Sequence, residues 1–154
     1  MEKSFLKKIF GKDFSLSESD LKKYSKDESL ISIKPLAIVF PKEREQIINL
    51  VKWAKKEKVA IVPRGSGTGL AGGSIGKGII LDMKKMKKIK IFKNDLMAEC
   101  QPGVINSELQ KKLKKYGFFW PPDPSSWKEC TVGGNLSTNA GGISCLKYGV
   151  TNNW

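Results

Sequence analysis

The chain has 154 residues, 40% of them apolar, a formal net charge of +13, no histidine and three cysteines. One domain with a real core is expected from that length and apolar share, and no apolar run approaches the ~18 residues of a membrane helix. Without histidine the usual general base near neutral pH is excluded, and so is any Ser-His or Cys-His nucleophile pair.

The first elements read as two short helices, over residues 4–11 and 17–27, with Ser17 or Ser19 as the cap of the second. Residues 1–34 thus form a helical lead-in. "SIKPLAIVFP" (32–41) is a strand, with Pro35 early enough to be tolerated. "KEREQIINLVKWAKKEK" (42–58) is a helix. Ile47, Leu50, Val51 and Ala54 recur at helical spacing, Ile48 widens the stripe, and the charges suit the helix dipole. "VAIVP" (59–63) is a short buried strand, so strand, helix and strand make a βαβ unit with parallel strands. "GIILDM" (78–83) is a third strand. "KIKIF" and "LMAECQPG" form a hairpin turning at Asn94-Asp95. "NSELQKKLKKYG" (106–117) is a helix capped by Asn106 or Ser107, with Leu109 and Leu113 inside and Gly117 as its stop. "FFWPPDPSSW" (118–127) is irregular, and a short helix is expected near "NLSTNA" (135–140).

"RGSGTGLAGGSIGKG" (64–78) holds seven glycines between two strands. "GTGLAG" fits G-x-G-x-x-G, but a dinucleotide fold needs a helix to start at that loop and hold the pyrophosphate on its N-terminus. Here glycines 73, 76 and 78 precede a β-like run, and each glycine costs a helix ~1 kcal/mol relative to alanine. "AGGSIGKG" is close to a Walker A loop. It has Ala71 for the first glycine, Gly78 for the magnesium-binding Ser/Thr, and no helix after it. A loop this long between adjacent strands exceeds what turning a corner requires. The remaining reading is an anion nest of glycine N–H groups. Arg64 adds a charged donor, and Ser66, Thr68 and Ser74 add hydroxyls.

A second glycine-rich stretch follows. Gly133-Gly134 and Gly141-Gly142 bracket "NLSTNA", and a short helix between them offers its N-terminus to an anion. The two loops together suggest a ligand with two phosphates. Cys100, Cys130 and Cys145 are odd in number and form no C-x-x-C, so they read as reduced thiols with no metal site. All but two of the 28 basic residues are lysine, the exceptions being Arg44 and Arg64. Scattered lysines without interleaved aromatics argue against a nucleic-acid surface and for solvated faces. Attraction to an anionic membrane surface or an acidic partner stays open. With no signal peptide in "MEKSFLKKIFGKDFSLSESD", a cytoplasmic protein is expected, with peripheral attachment at the inner face of the membrane as the extension of that reading.

"VAIVPRGSGTGLAGG", then "AECQPGV", then "PPDPSSWKECTVGGNLSTNAGGISCLKYGV" resembles the FAD-linked oxidases of the vanillyl-alcohol oxidase / p-cresol methylhydroxylase superfamily. Within it, the chain is most similar to the glycolate oxidase FAD subunits and D-lactate dehydrogenases. The resemblance runs from Pro35 to the last residues. It implies an α+β, PCMH-type FAD-binding domain over 35–154, with an N-terminal βαβ subdomain and an incomplete second one. It carries FAD contacts onto Arg64, Gly65, Ser66, Gly67, Thr68, Gly69 and Leu70, with Gly72 and Gly73 closing the turn. In the second region it carries them onto Pro122, Asp123, Ser125, Gly133, Gly134, Asn135, Thr138, Gly141 and Gly142, with Tyr148 and Gly149 near the flavin or ribityl chain. Some relatives attach FAD to histidine or cysteine. With no histidine here, non-covalent FAD is expected. The implied chemistry is hydride transfer from a small 2-hydroxy acid to the flavin, giving a 2-oxo acid. An iron–sulfur electron-transfer subunit is the implied partner.

The resemblance also implies longer chains, in which the substrate cap and the carboxylate-clamping arginines follow the segment that residues 35–154 resemble. No catalytic residue is therefore named, and residues 1–154 alone are expected to show no turnover of glycolate or D-lactate. Two alternatives stay open: a non-enzymatic remnant of such a gene, and, ranked last, a basic nucleic-acid-binding module, in which the paired glycine loops have no role.

Overall fold

The structure, a computed structural model, describes residues 3–154. Residues 1 and 2 of the expected lead-in lie outside the described residues. The chain divides into two compact units, one up to Lys85 and one from Met86 to Trp154.

The first unit is built on the three apolar runs. Its elements are α1 (Lys3–Phe10), β1 (Phe14–Ser15), α2 (Glu18–Lys23), β2 (Ala37–Val39), α3 (Arg44–Glu57), β3 (Ile61–Arg64), β4 (Ile79–Asp82) and a 3-10 turn at Met83–Lys85. The sheet order is β1-β2-β4-β3. β2 and β3 both run parallel to β4, which lies between them, and β1 pairs antiparallel with β2. The βαβ strands are therefore parallel, as expected, with the third run inserted as the central strand.

Residues 37–39 of β2 and 79–81 of β4 are apolar at every position because both faces of the sheet are covered there. On one face Ala37, Val39, Ile79 and Leu81 pack with Leu6 and Phe10 of α1 and Leu50 of α3. On the other, Ile38 and Ile80 pack with Leu21 and Tyr24. Residues 3–34, set apart by the sequence as a lead-in, thus supply cover for both faces.

Some local expectations differ. β3 is half-buried rather than buried, because it is the sheet edge, where Pro63 loses no ladder bond. Val51 is exposed. The inner stripe of α3 is Ile47, Leu50, Trp53 and Ala54, with the Trp53 ring stacked on Phe5 at 4.5 Å. Tertiary stacking selected Trp53, which periodicity alone did not. Of the two candidate caps of α2, Ser17 is the one used, its Oγ accepting from Asp20 N at 3.3 Å. α3 ends at Lys58, in the left-handed conformation at φ +54, with its N–H donating to Ala54 O.

Asp13 lies buried between two lysines, with Lys42 Nζ at 2.5 Å and Lys85 Nζ also in contact. Hydrogen bonds from Lys42 and then Lys85 hold its carboxyl below the usual aspartate range of 3.8. A depressed carboxyl contributes stability that is complete above the unfolded value and is lost as pH falls through the folded one. The stability gap between wild type and Asp13→Asn in urea unfolding is accordingly expected to be constant above about pH 5 and to close progressively below about pH 4. A gap that does not change with pH would mean that the ion pairs contribute nothing.

The second unit comprises the hairpin β5 (Ile89–Phe92) and β6 (Met97–Cys100), then α4 (Asn106–Lys114), α5 (Val132–Thr138), α6 (Cys145–Tyr148) and a 3-10 turn at Thr151–Asn153. The hairpin is antiparallel with Phe92 opposite Met97, so residues 93–96 form the expected turn. Its left-handed residue is Leu96, at φ +53. Val104, Leu109, Leu113 and Val132 form the core, joined by Ile89, Ile91, Phe118 and Trp120. Leu109 and Leu113 thus form the inner face expected of them.

One cap and one helix start are corrected. α4 is capped by Ile105, whose N–H donates to Glu108 Oε2 at 3.3 Å. Asn106 is already helical and turns its side chain inward. α5 begins at Val132 with Thr131 as its cap, Oγ1 accepting from Gly134 N at 3.1 Å. Gly133 and Gly134 are therefore inside the first turn of this helix, not ahead of it.

Candidate functional site

The first candidate loop, residues 65–78, leaves the end of β3 and returns into β4. Its glycines serve different ends. Gly67, at φ +77, lies under the Arg64 guanidinium, where a Cβ would collide. Gly72 is also left-handed, at φ +71, and its Cβ would press on Ile31 Cδ1 at 3.2 Å. Gly76 and Gly78 form the return leg against β3, where a Cβ would meet Val62 Cγ2 at 2.8 Å or overlap the Ala60 carbonyl respectively. Gly69 and Gly73 are different. Both are exposed, neither has a positive φ, and a Cβ on either would meet nothing within 4 Å. The chain's own packing does not require glycine at these two positions.

Arg64 does not project freely from the loop. Its Nη1 donates to Ser74 O at 3.2 Å, and its guanidinium lies 5.2 Å from the Tyr24 ring centroid. Tyr24 is buried and its hydroxyl donates to Asp82 Oδ2 at 2.6 Å. Burial, then the hydrogen bond to Asp82, pushes the Tyr24 hydroxyl well above the usual phenol range, so it remains a donor. Ser74 Oγ donates to Asp27 Oδ2 at 2.9 Å, and Asp27 Oδ1 accepts from Ser29 N at 2.9 Å. Burial works against the Asp27 charge, but hydrogen bonds from Ser29 and Ser74 outweigh it and hold the carboxyl below its usual range. Gly67 O accepts from Glu28 N at 3.2 Å. The loop is thus tied to residues 24–31, for which the sequence alone suggests no role. An aspartate closing the apolar strand "GIILD" was the one signal for this cluster, since a buried carboxylate requires partners.

The second candidate region surrounds a cleft of about 810 Å³. Among the expected residues, Asp123, Ser125, Gly141 and Gly142 line it, together with Asn106, expected only as a helix cap, and Trp127, which the sequence did not single out. Asp123 accepts from Ser144 N at 3.2 Å and from Ser144 Oγ at 2.7 Å. Gly142, at φ +155, passes so close that a Cβ would overlap the Asp123 carbonyl and carboxylate. Asn106 is fully buried and its Nδ2 donates to Pro122 O at 2.9 Å, holding the proline-rich segment.

The other expected residues of this region lie off the cleft lining. Gly133 packs on Pro102, where a Cβ would come within 2.6 Å of Pro102 Cβ. Asn135 is buried, and Thr138 is exposed with Oγ1 donating to Gly134 O at 3.0 Å. The Tyr148 ring meets Phe119 edge-on at 5.3 Å, and Gly149 caps α6 at φ +82. Burial raises the Cys100 and Cys130 thiols above their usual range, so neither is a ready thiolate.

The first unit thus carries a mainly parallel sheet with a glycine loop at the end of a strand, and the second carries a glycine-lined cleft, the concave kind of surface that small molecules and cofactors occupy. Residues 35–154 match the FAD binding domain family, and the chain belongs to it. It is 40% identical over 144 residues to D-2-hydroxyglutarate dehydrogenase of Stutzerimonas stutzeri, an alignment that covers 90% of this chain and 31% of that protein. To the glycolate oxidase subunit GlcD of Bacillus subtilis it is 42% identical over 123 residues, covering 78% of this chain and 26% of that one. Among solved structures, alkyldihydroxyacetonephosphate synthase superposes with a TM-score of 0.86 at 25% identity, over 99% of this chain and 32% of that one. The chain therefore spans about a third or less of these proteins' length. Among the described residues, no helix is long and apolar enough to cross a membrane.

Proposed function

We propose that this chain binds FAD non-covalently as the cofactor-binding portion of a flavin-dependent 2-hydroxy-acid dehydrogenase or oxidase of the glycolate or D-lactate kind. Family membership supports the cofactor, and the names of two relatives, each an oxidoreductase of a 2-hydroxy acid, support the substrate class. The observation that carries the reading is the open backbone at Gly69 and Gly73, where glycine is unexplained by the fold and phosphate oxygens approach N–H groups without a Cβ in the way. Arg64–Leu70, with Gly72 and Gly73 closing the turn, is the proposed phosphate loop. Asp123, Ser125, Gly141 and Gly142 line a cleft whose volume lies in the range of about 300–1,000 Å³ usual for small-molecule sites. Bound FAD would supply the hydride acceptor, and this chain's residues would hold and orient it. Residues 1–154 contain no histidine, so this chain itself offers none for covalent attachment.

Titration of FAD into the purified chain, followed by flavin fluorescence, tests the reading. Wild type is expected to bind. Gly69→Val is expected to keep the wild-type thermal midpoint, since the position is exposed and a Cβ there meets nothing within 4 Å, while weakening FAD binding at least about tenfold. A folded wild-type chain that binds no flavin, or a Gly69→Val variant that binds it equally well, would sink the proposal.

A further inference from the structure

Five side chains outside the open part of the loop form one connected path across its base. Asp82 is 3% exposed and accepts from the Tyr24 hydroxyl. The Tyr24 ring lies under the Arg64 guanidinium, Arg64 donates to Ser74 O, and Ser74 Oγ donates to Asp27. Arg64 is the last residue of β3, and Ser74 lies on the return leg, so the Arg64–Ser74 bond joins the loop's two legs across ten positions. At one end the path is anchored in the sheet through Asp82. At the other, Asp27 holds the turn at Ser29.

We propose that Tyr24, Asp82, Arg64, Ser74 and Asp27 act as a brace that holds the glycine loop in its binding form before ligand arrives, and that Arg64 acts through the loop backbone as a positioning residue rather than as a phosphate contact. The inference rests on the FAD-binding reading of this loop and adds to it the residues that preorganise the site. Seven glycines in fifteen positions give residues 64–78 large conformational freedom when unfastened. Ordering such a loop only on binding subtracts from affinity, whereas a loop held in advance avoids that loss. A guanidinium suits the task because its planar fork can stack on an aromatic face and donate in its own plane at once. A lysine ammonium has no plane to stack and no fixed fork, so it cannot hold both contacts in one set geometry.

The brace and a direct charge contact predict opposite results for conservative variants. In Arg64→Lys the charge stays and the stack and in-plane bond go. In Ser74→Ala only the hydroxyl link to Asp27 goes. Each variant is expected to raise the FAD dissociation constant about tenfold, with its salt dependence unchanged. Each is also expected to speed amide hydrogen exchange across residues 65–78 of the FAD-free chain about tenfold, without moving the thermal midpoint. Arg64→Lys binding FAD as wild type does, while Arg64→Met loses both affinity and salt dependence, would show a charge contact and overturn the brace. So would unchanged exchange in both Arg64→Lys and Ser74→Ala. If the wild-type chain binds no FAD, the functional reading fails, and the exchange rates of the FAD-free chain still decide the brace.

Discussion

Gly78→Ala is expected to unfold the first unit, at a cost of about 3 kcal/mol or more. Gly78 is buried, and a Cβ there would overlap the carbonyl of Ala60. That same carbonyl accepts Ile79 N–H at 2.9 Å, the first bond pairing the edge strand with the central one. Gly78 O in turn accepts Leu36 N–H at 2.9 Å, leading into β2. The residue is pinned on both sides by backbone, so no flexible side chain can give way. Far-UV circular dichroism and urea unfolding followed through Trp53, which stacks on Phe5 in the same unit, provide the measurement. A variant with wild-type stability would mean that the close approach of Gly78 to Ala60 is absent in solution. The contrast with Gly69→Val is informative. Both glycines lie in one loop, but one is required by the fold and the other is free of it.

The second large effect is expected at Gly142. Alanine there faces φ +155 and a Cβ overlapping both the carbonyl and the carboxylate of Asp123. Strained backbone of this kind costs about 1–3 kcal/mol by itself, and displacing Asp123 adds the loss of its two bonds from Ser144. The expected result is a cleft without its Asp123–Ser144 latch. FAD affinity should fall by at least about tenfold, accompanied by faster proteolysis around residues 141–144. Ser144→Ala removes the latch without the steric conflict and should show the smaller part of the same loss. Equal FAD affinity in Gly142→Ala and wild type would remove the cleft from the cofactor site.

Much of the fold was legible because single residues carried the signal. The parallel strands followed from the succession of strand, amphipathic helix and strand, and the hairpin from two short β-like runs around Asn94-Asp95. Rejecting a dinucleotide or nucleotide-triphosphate loop followed from what comes after residue 72, namely more glycine and then a strand. The errors have equally specific causes. Val51 fits the helical stripe of α3 as well as Trp53 does, and only the position of Phe5 chooses between them. Asn106 is a good cap by residue type, but burial against Pro122 used its amide differently. Gly133 and Gly134 look like helix breakers. They are nevertheless accommodated in the first turn of α5, because Thr131 caps it and Gly133 packs directly on Pro102.

The candidate site divides along the same line. By itself the sequence determined that a glycine loop too long for a corner joins two strands, and that a second glycine-rich segment follows it. Those are properties of residue type and spacing, which local backbone freedom makes readable. Only the tertiary structure decided which glycines the fold needs. Gly67, Gly72, Gly76 and Gly78 are filled by Arg64, Ile31, Val62 and Ala60, while Gly69 and Gly73 face open space. It also decided that Arg64 lies folded between Tyr24 and Ser74. Tyr24 and Asp82 stand 58 positions apart in the chain. A contact over that separation depends on how helix and sheet pack, and no local pattern of residues records it.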